Sequence, residues 1–171
     1  MGEVITFTSG KGGVGKTTTT ANVGAGLSLL DKKVVLVDTD IGLRNLDVVM
    51  GLENRILYNL VDVLSGRCRA KQAIIRDKRF PNLSVIPSSC TKEKILLDSD
   101  QMKHLLDDLR QEFDYILVDS PAGIDQGFLL AITGADRIVV VTTPQIAAIH
   151  DADCVLQILK THYTVKTELL I

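Results

Sequence analysis

Aromatic side chains are scarce in this sequence. It has no tryptophan, and Phe, Trp and Tyr together make up only 4% of its 171 residues. The hydrophobic core must therefore be built from the Val, Ile, Leu and Ala that dominate a chain that is 46% hydrophobic. A chain of this length is long enough for one domain with a sizeable core.

Cysteine is also sparse, and the three that occur, Cys68, Cys90 and Cys154, lie far apart in the sequence. Scattered thiols of this kind argue against a disulfide framework, a zinc site or an iron–sulfur cluster carried by this chain alone. They are typical of proteins from a reducing compartment. We therefore expect a cytoplasmic location.

Neither sign of charge dominates, because 19 basic and 21 acidic residues give a formal net charge of -2. Such a balance provides no general attraction to nucleic acid, and we expect no nucleic-acid partner. Long hydrophobic runs are missing as well: no stretch approaches the roughly 18 apolar residues of a membrane span, and no signal-peptide pattern opens the chain.

Short runs rich in Val, Ile and Leu alternate along the chain with segments that look helical. Strands are predicted at residues 4–8, 33–38, 83–87, 115–119, 137–142 and 167–171, and helices at residues 17–30, 57–64, 100–113 and 147–161. The strand runs are continuously apolar, which is typical of strands buried on both faces of a parallel sheet. This β-α-β order predicts one doubly wound α/β domain over residues 1–171, with a mostly parallel sheet flanked by helices. Because residues 168–171 resemble the middle of a core strand, we expect this domain to be incomplete at its C-terminus.

Residues 9–17 read SGKGGVGKT and match the phosphate-loop pattern G-x-x-x-x-G-K-[ST] in full. The match follows a predicted strand and opens a predicted helix, where glycines let backbone amides turn toward phosphate oxygens. Lys16 would place its charge at the β- and γ-phosphates, and Thr17 would offer its hydroxyl to Mg²⁺. The residues predicted to bind the nucleotide are Gly10, Lys11, Gly12, Gly13, Val14, Gly15, Lys16, Thr17 and Thr18.

Three aspartates follow two of the predicted strands, at the sheet edge where ligands bind in this type of fold. Asp119 ends the run YILVD, and we expect it to hold Mg²⁺ together with Thr17. Asp38 and Asp40 follow the run KVVLV and share a face of an extended backbone. We expect two catalytic residues here: Lys16 of the loop, which acts on the phosphate, and Asp40, which orients the attacking water. We expect Asp38 to support the ligands of the metal from behind.

A second lysine in the loop, Lys11, is not required by the phosphate-loop pattern. The string KGGVGKTT resembles the deviant phosphate loop of the MinD/ParA class of ATPases, which includes the nitrogenase iron protein. In that class the extra lysine reaches the partner's phosphates across a nucleotide-sandwiched dimer. The resemblance therefore implies ATP and Mg²⁺ as ligands, an ATP-dependent homodimer, and a catalytic role in trans for Lys11. A solvated loop lysine is the alternative.

The run DTDIGLRNLDVVMGLENRILYNLVDVL is similar to the branch of this class that places the division septum, and so are LVDSPAGID and ADRIVVVTTPQ. The resemblance implies a division inhibitor and an activator or topological factor as partners. It places Asn45 and Asp47 on the side of the site that senses the γ-phosphate. It also places Asp151 and Asp153 near the dimer and partner face, although acids that merely start a helix are an equal alternative.

Members of this branch are longer than this chain and end in an amphipathic helix. That helix binds the inner face of the cell membrane peripherally when the ATP-bound dimer presents two copies. The helix and part of the family's base pocket would lie beyond residue 171. The alternatives are a related flagellar-number regulator, a DNA-segregation ATPase of the ParA type, and a module that binds nucleotide without hydrolysing it.

Overall fold

The computed structural model describes residues 1–90 and 98–171. Its strands are β1 Glu3–Ser9, β2 Val34–Asp38, β3 Ile75–Arg76, β4 Leu83–Ile86, β5 Tyr115–Ala122, β6 Arg137–Val141 and β7 Lys166–Leu170. Its helices are α1 Lys16–Leu29, α2 Leu46–Met50, α3 Leu60–Leu64, α4 Ala70–Ala73, α5 Ser99–Leu109, α6 Gln126–Ile132 and α7 Ile146–His162, and Glu53–Arg55 forms a short 3₁₀ turn.

The strands form one sheet in the order β3-β4-β2-β5-β1-β6-β7. All neighbours are parallel except β3 and β4, which pair antiparallel. The predicted fold, a mostly parallel doubly wound sheet, is confirmed. Because parallel strands all end at the same edge, β2 and β5 bring Asp38 and Asp119 into register as direct neighbours.

Helices cover both faces of this sheet, which explains why the strand runs are continuously apolar. The four residues Val34–Val37 of β2 are all fully buried. Helix α5 packs its predicted apolar stripe on one face, where Met102, Leu105, Leu106 and Leu109 are buried. Helix α1 lies on the other face and approaches it closely, since a Cβ added at Gly24 would come within 2.6 Å of Leu36 Cδ2.

The structure corrects several predicted boundaries. The helix predicted from residue 57 begins at Leu60, because the Asn59 side chain accepts hydrogen bonds from the backbone N–H groups of Val61 and Asp62 and so caps it there. The helix predicted to reach residue 113 ends at Leu109. Helices α2, α4 and α6 and strand β3 were not predicted, because elements this short show too little periodicity.

Strand β7 is the outermost strand beside β6, and Leu169 and Leu170 on it are 48% and 42% exposed. Whether residues 1–171 form one incomplete domain stays a prediction. Within residues 1–90 and 98–171, none of the helices has both the length and the apolar character that crossing a bilayer requires.

Candidate functional site

The glycine-rich loop joins the end of β1 to the start of α1. Gly13 and Gly15 have φ values of +78° and +94°, in the left-handed region that glycine adopts without strain. Gly15 is also the residue before the first turn of α1, and within the described residues no side chain caps that turn. The exposed backbone N–H groups and the positive end of the helix dipole therefore favour an anion at this point, as predicted for phosphate.

Asp119 is fully buried beneath the loop and accepts hydrogen bonds from three side chains of α1. Lys16 Nζ lies 3.2 Å from Asp119 Oδ1, and the Thr17 hydroxyl lies 2.7 Å from Oδ2. The Thr20 hydroxyl lies 3.3 Å from Oδ1. The structure thus brings Lys16, Thr17 and Asp119 together as predicted. Thr20 was missed, although its position one helical turn after Lys16 puts it on the same face of α1.

Asp38 is fully buried beside Asp119 and is tied to the backbone that follows β2. Its two carboxylate oxygens accept hydrogen bonds from Asp40 N at 2.9 Å and from Leu46 N at 3.3 Å. Burial raises the pKa of Asp38 to about 7, and the negative charges of Asp119 and Asp40 add to this rise while the two backbone bonds oppose it. This position suits a residue that supports its neighbours rather than one that contacts a substrate.

Asp40 is only partly buried and lines a cleft of about 1180 Å³. Its Oδ2 lies 3.4 Å from Asn45 Nδ2. The cleft is bounded by the phosphate loop, residues 39–45 after β2, the end of β5 with the turn that follows it, the first residue of α5, and parts of α2 and α6. Loop residues Gly12, Gly13, Gly15, Lys16, Thr17 and Thr18 line it. This volume is large enough to hold a small molecule such as a nucleotide.

Lys11 lies at the exposed tip of the loop, where its carbonyl accepts a hydrogen bond of 2.9 Å from the Ser9 hydroxyl. Its side chain is therefore exposed to solvent. Both hypotheses, a group that acts in trans and a solvated loop lysine, predict this exposure. The role in trans stays a prediction.

Asn45 and Asp47 occupy different environments. Asn45 is exposed and lines the cleft, whereas Asp47 is fully buried and accepts two hydrogen bonds from Arg44. Sequence reasoning missed Arg44, which also lines the cleft. The three-residue spacing of Arg44 and Asp47 is the one signal that could have indicated the pair.

Helix α7 packs directly against the phosphate loop. A Cβ added at Gly10 would come within 2.3 Å of the Asp151 carbonyl oxygen, so only glycine fits there without movement. The Asp151 side chain is 41% exposed and lies 3.7 Å from His150 Nδ1. Asp153 is exposed and accepts a 2.7 Å hydrogen bond from Gln157. Thus Asp151 borders the loop through its backbone, while Asp153 points to solvent.

The donor set fits Mg²⁺ bound together with a nucleotide. Among residues 1–90 and 98–171, no cluster of three His, Cys, Asp or Glu side chains could hold a metal alone. Mg²⁺ in nucleotide sites instead takes one or two protein oxygens, phosphate oxygens and waters. The adjacent Thr17 hydroxyl and Asp119 carboxylate provide protein oxygens of this kind.

Comparison with known proteins gives consistent results. The family model described as AAA domain matches residues 2–171. The septum site-determining protein MinD of Bacillus subtilis is 54% identical over 172 residues, covering 100% of this chain and 64% of that protein. Among solved structures, the MinC:MinD cell division protein complex of Aquifex aeolicus superposes with a TM-score of 0.88 at 44% identity, covering 98% of this chain and 67% of that chain. MinD complexed with Mg-ADP from Pyrococcus horikoshii has a TM-score of 0.87 at 32% identity, covering 98% and 68%.

The doubly wound sheet, the glycine-rich loop and the carboxylates at the strand ends define a P-loop nucleotide-binding protein with an AAA domain. Within that class the chain belongs to the MinD family. The predicted resemblance is confirmed, and these identities do not favour the flagellar or DNA-segregating alternatives. The chain spans 64% of the length of its Bacillus subtilis relative.

Proposed function

We propose that this chain carries the nucleotide site of a Mg²⁺-dependent ATPase that regulates placement of the division septum. The observation that carries the proposal is the contact of Lys16 and Thr17 with the buried carboxylate of Asp119 under a phosphate loop. Support for the biological role comes from relatives named septum site-determining proteins, and support for nucleotide and Mg²⁺ from a relative's complex with Mg-ADP.

Each predicted site residue has a defined task in this proposal. The loop amides and Lys16 bind the phosphates, and Thr17 and Asp119 hold Mg²⁺, directly or through water. When bound, Mg²⁺ neutralises negative charge on the phosphate oxygens. Asp40, at the cleft wall, orients the water that attacks the γ-phosphate. The Asp38 carboxylate accepts a hydrogen bond from the backbone N–H of Asp40 and so supports its position.

Lys16 is held in a defined position in this structure. It is 8% exposed and its ammonium group lies 3.2 Å from Asp119, so its charge is already desolvated and paired. Binding of phosphate would exchange one anionic partner for another rather than desolvate a free lysine. Because the side chain is ordered before the ligand arrives, binding costs less conformational entropy, and the charge of Asp119 would be compensated by the bound Mg²⁺ in place of Lys16.

The proposed partners are those that the resemblance implies, and a solved complex of a relative supports one of them. We propose an ATP-dependent homodimer in which Lys11 of each protomer reaches the other's phosphates. The division inhibitor would be a MinC-like protein, since a relative is solved as a MinC:MinD complex. We also propose an activator or topological factor, a cytoplasmic pool, and a peripheral position on the inner membrane face through a C-terminal amphipathic helix of the whole protein.

Calorimetry with Mg²⁺-ADP and Mg²⁺-ATP tests the proposed site. The unmodified chain should bind both nucleotides. Lys16→Ala should lose measurable binding because the positive charge that binds the phosphates is removed. Lys160→Ala is the matched control: it removes an exposed lysine from the last turn of α7 and should bind like the unmodified chain. Equal affinity of Lys16→Ala and the control would contradict the proposed site.

A further inference from the structure

We propose that Arg44 is a positioning residue that holds residues 39–46, at the wall of the cleft, in one conformation through its ion pair with the buried Asp47. Thr39, Asp40, Ile41, Leu43, Arg44 and Asn45 of this segment line the cleft, and Asp40 is the one for which we propose a catalytic role. Because its guanidinium is engaged by Asp47 and Cys90, Arg44 acts on the reaction through the placement of Asp40. This inference rests on the proposed function, because it assumes that Asp40 orients the attacking water.

The first observation is the way in which Arg44 is bound. Its Nε and Nη2 atoms donate to the same oxygen of Asp47, Oδ2, at 3.1 and 2.5 Å. Its Nη1 atom donates to Cys90 Sγ at 3.1 Å. Three guanidinium nitrogens are thus engaged at once, which fixes the plane and direction of the side chain.

The second observation is the burial of Asp47. The residue is fully buried, and its Oδ1 atom has no hydrogen-bond partner among the described residues. Arg44 is the cation that lies against this carboxylate, with Nη2 at 2.5 Å from Oδ2, and Asp47 belongs to the first turn of α2. Removing the guanidinium would leave a buried carboxylate without that compensation, so the pair is strongly coupled to the local fold.

The third observation is backbone strain at the same residue. Arg44 has a φ of +47°, in the left-handed region that residues with a Cβ rarely adopt. Such a conformation persists only where the surrounding contacts hold it. The three hydrogen bonds of the side chain are the contacts that do so here, and they keep the turn between β2 and α2 in one shape.

This turn carries Asp40. Asp38 accepts hydrogen bonds from Asp40 N and Leu46 N, so both ends of the segment are tied to one buried carboxylate. Asn45, next to Arg44, lies 3.4 Å from Asp40 Oδ2 through its side-chain nitrogen. If the anchor at Arg44 is lost, the bonds at Leu46 N and Asn45 are the first to lose their alignment, and with them the orientation of Asp40.

Amide hydrogen exchange tests the anchor without any nucleotide. In Arg44→Ala, the amides of Asp40 and Leu46 should exchange about tenfold faster or more, while amides of β1 and β5 keep their rates. Arg44→Lys keeps the charge but cannot reproduce the planar fork, and should give an intermediate rate. Arg55→Ala is the matched control, because Arg55 donates to a backbone carbonyl, that of Arg76, outside the cleft. Unchanged exchange at Asp40 and Leu46 in Arg44→Ala would overturn the inference.

A double-mutant cycle tests the link to the reaction. Arg44→Ala should lower the ATP hydrolysis rate about tenfold or more while changing KM little, and it should add no further loss in an Asp40→Ala background. Losses that multiply in the double variant would overturn the inference, since Arg44 would then not act through Asp40. An unmodified chain that binds no nucleotide would instead overturn the proposed function, and the exchange rates would still decide whether Arg44 is the anchor.

Discussion

Replacing the buried Asp38 with asparagine should stabilise the nucleotide-free protein at neutral pH, and this gain should disappear in acid. Burial raises the pKa of Asp38 from 3.8 to about 7 in the folded protein. Between these two values the folded state holds a proton that the unfolded state releases. The free energy of unfolding of the unmodified protein must therefore fall as the pH rises through this window.

The size of the effect follows from the two pKa values. The two pKa values differ by roughly three pH units, and each unit corresponds to about 1.4 kcal/mol. Ionised Asp38 therefore lowers the free energy of unfolding by about 4 kcal/mol at pH 8. Asparagine avoids this cost and keeps one acceptor oxygen, but it loses one of the two backbone hydrogen bonds, which contributes about 1–2 kcal/mol. We therefore expect Asp38→Asn to be more stable by about 2–3 kcal/mol at pH 8 and slightly less stable than the unmodified protein near pH 4.

Urea unfolding from pH 4 to pH 8 at constant ionic strength measures this difference. The control is Asp153→Asn, which removes an exposed carboxylate from α7 and should run parallel to the unmodified protein. Burial alone would raise the pKa of Asp77, but its hydrogen bonds with Arg79 and Phe80 lower it overall. The resulting pH dependence of stability is the same in all three proteins and cancels from the comparison. Parallel profiles for Asp38→Asn and the unmodified protein would refute the reasoning.

The remaining predictions concern the loop and the groups around it. Gly10→Ala should lower the stability by about 1–3 kcal/mol in thermal or urea unfolding, because its Cβ would lie 2.3 Å from a carbonyl oxygen of α7, whereas Gly12→Ala meets nothing within 4 Å. Thr20→Val keeps the shape of a fully buried side chain but removes a hydroxyl that lies 3.0 Å from the Lys16 carbonyl and 3.3 Å from Asp119 Oδ1, and should cost about 1–3 kcal/mol in the same assay. Lys11→Ala should bind Mg²⁺-nucleotide by calorimetry yet form no ATP-dependent dimer in sedimentation.

Each of these has an outcome that contradicts it. Equal stability of the two glycine variants would mean that α7 moves away from the loop at no cost. An unchanged unfolding free energy for Thr20→Val would mean that Lys16 and Thr17 satisfy Asp119 by themselves. Normal turnover and dimerisation of Lys11→Ala would return Lys11 to the reading of a solvated loop lysine.

The fold and the phosphate site could be predicted from the sequence because their signals are local. Continuous apolar runs indicate strands buried on both faces, and a strand–glycine loop–helix order indicates a phosphate site. The lysine and threonine of the loop adjoin each other in the chain, so Lys16 and Thr17 need no tertiary information to be paired. Short elements such as α2 and α6 escaped prediction because four to seven residues show too little periodicity.

The sequence by itself determined six of the seven strands in the described residues, the loop with its two lysines, and the acidic residues at the ends of β2 and β5. The tertiary structure alone decided which of these groups touch. Asp119 meets Lys16 from 103 positions away, and Arg44 meets Cys90 from 46 positions away. It also decided that Asp38 is fully buried while Asp40 borders the cleft. Contacts and burial depend on how the sheet and helices pack, and a pattern of neighbouring residues carries no record of that packing.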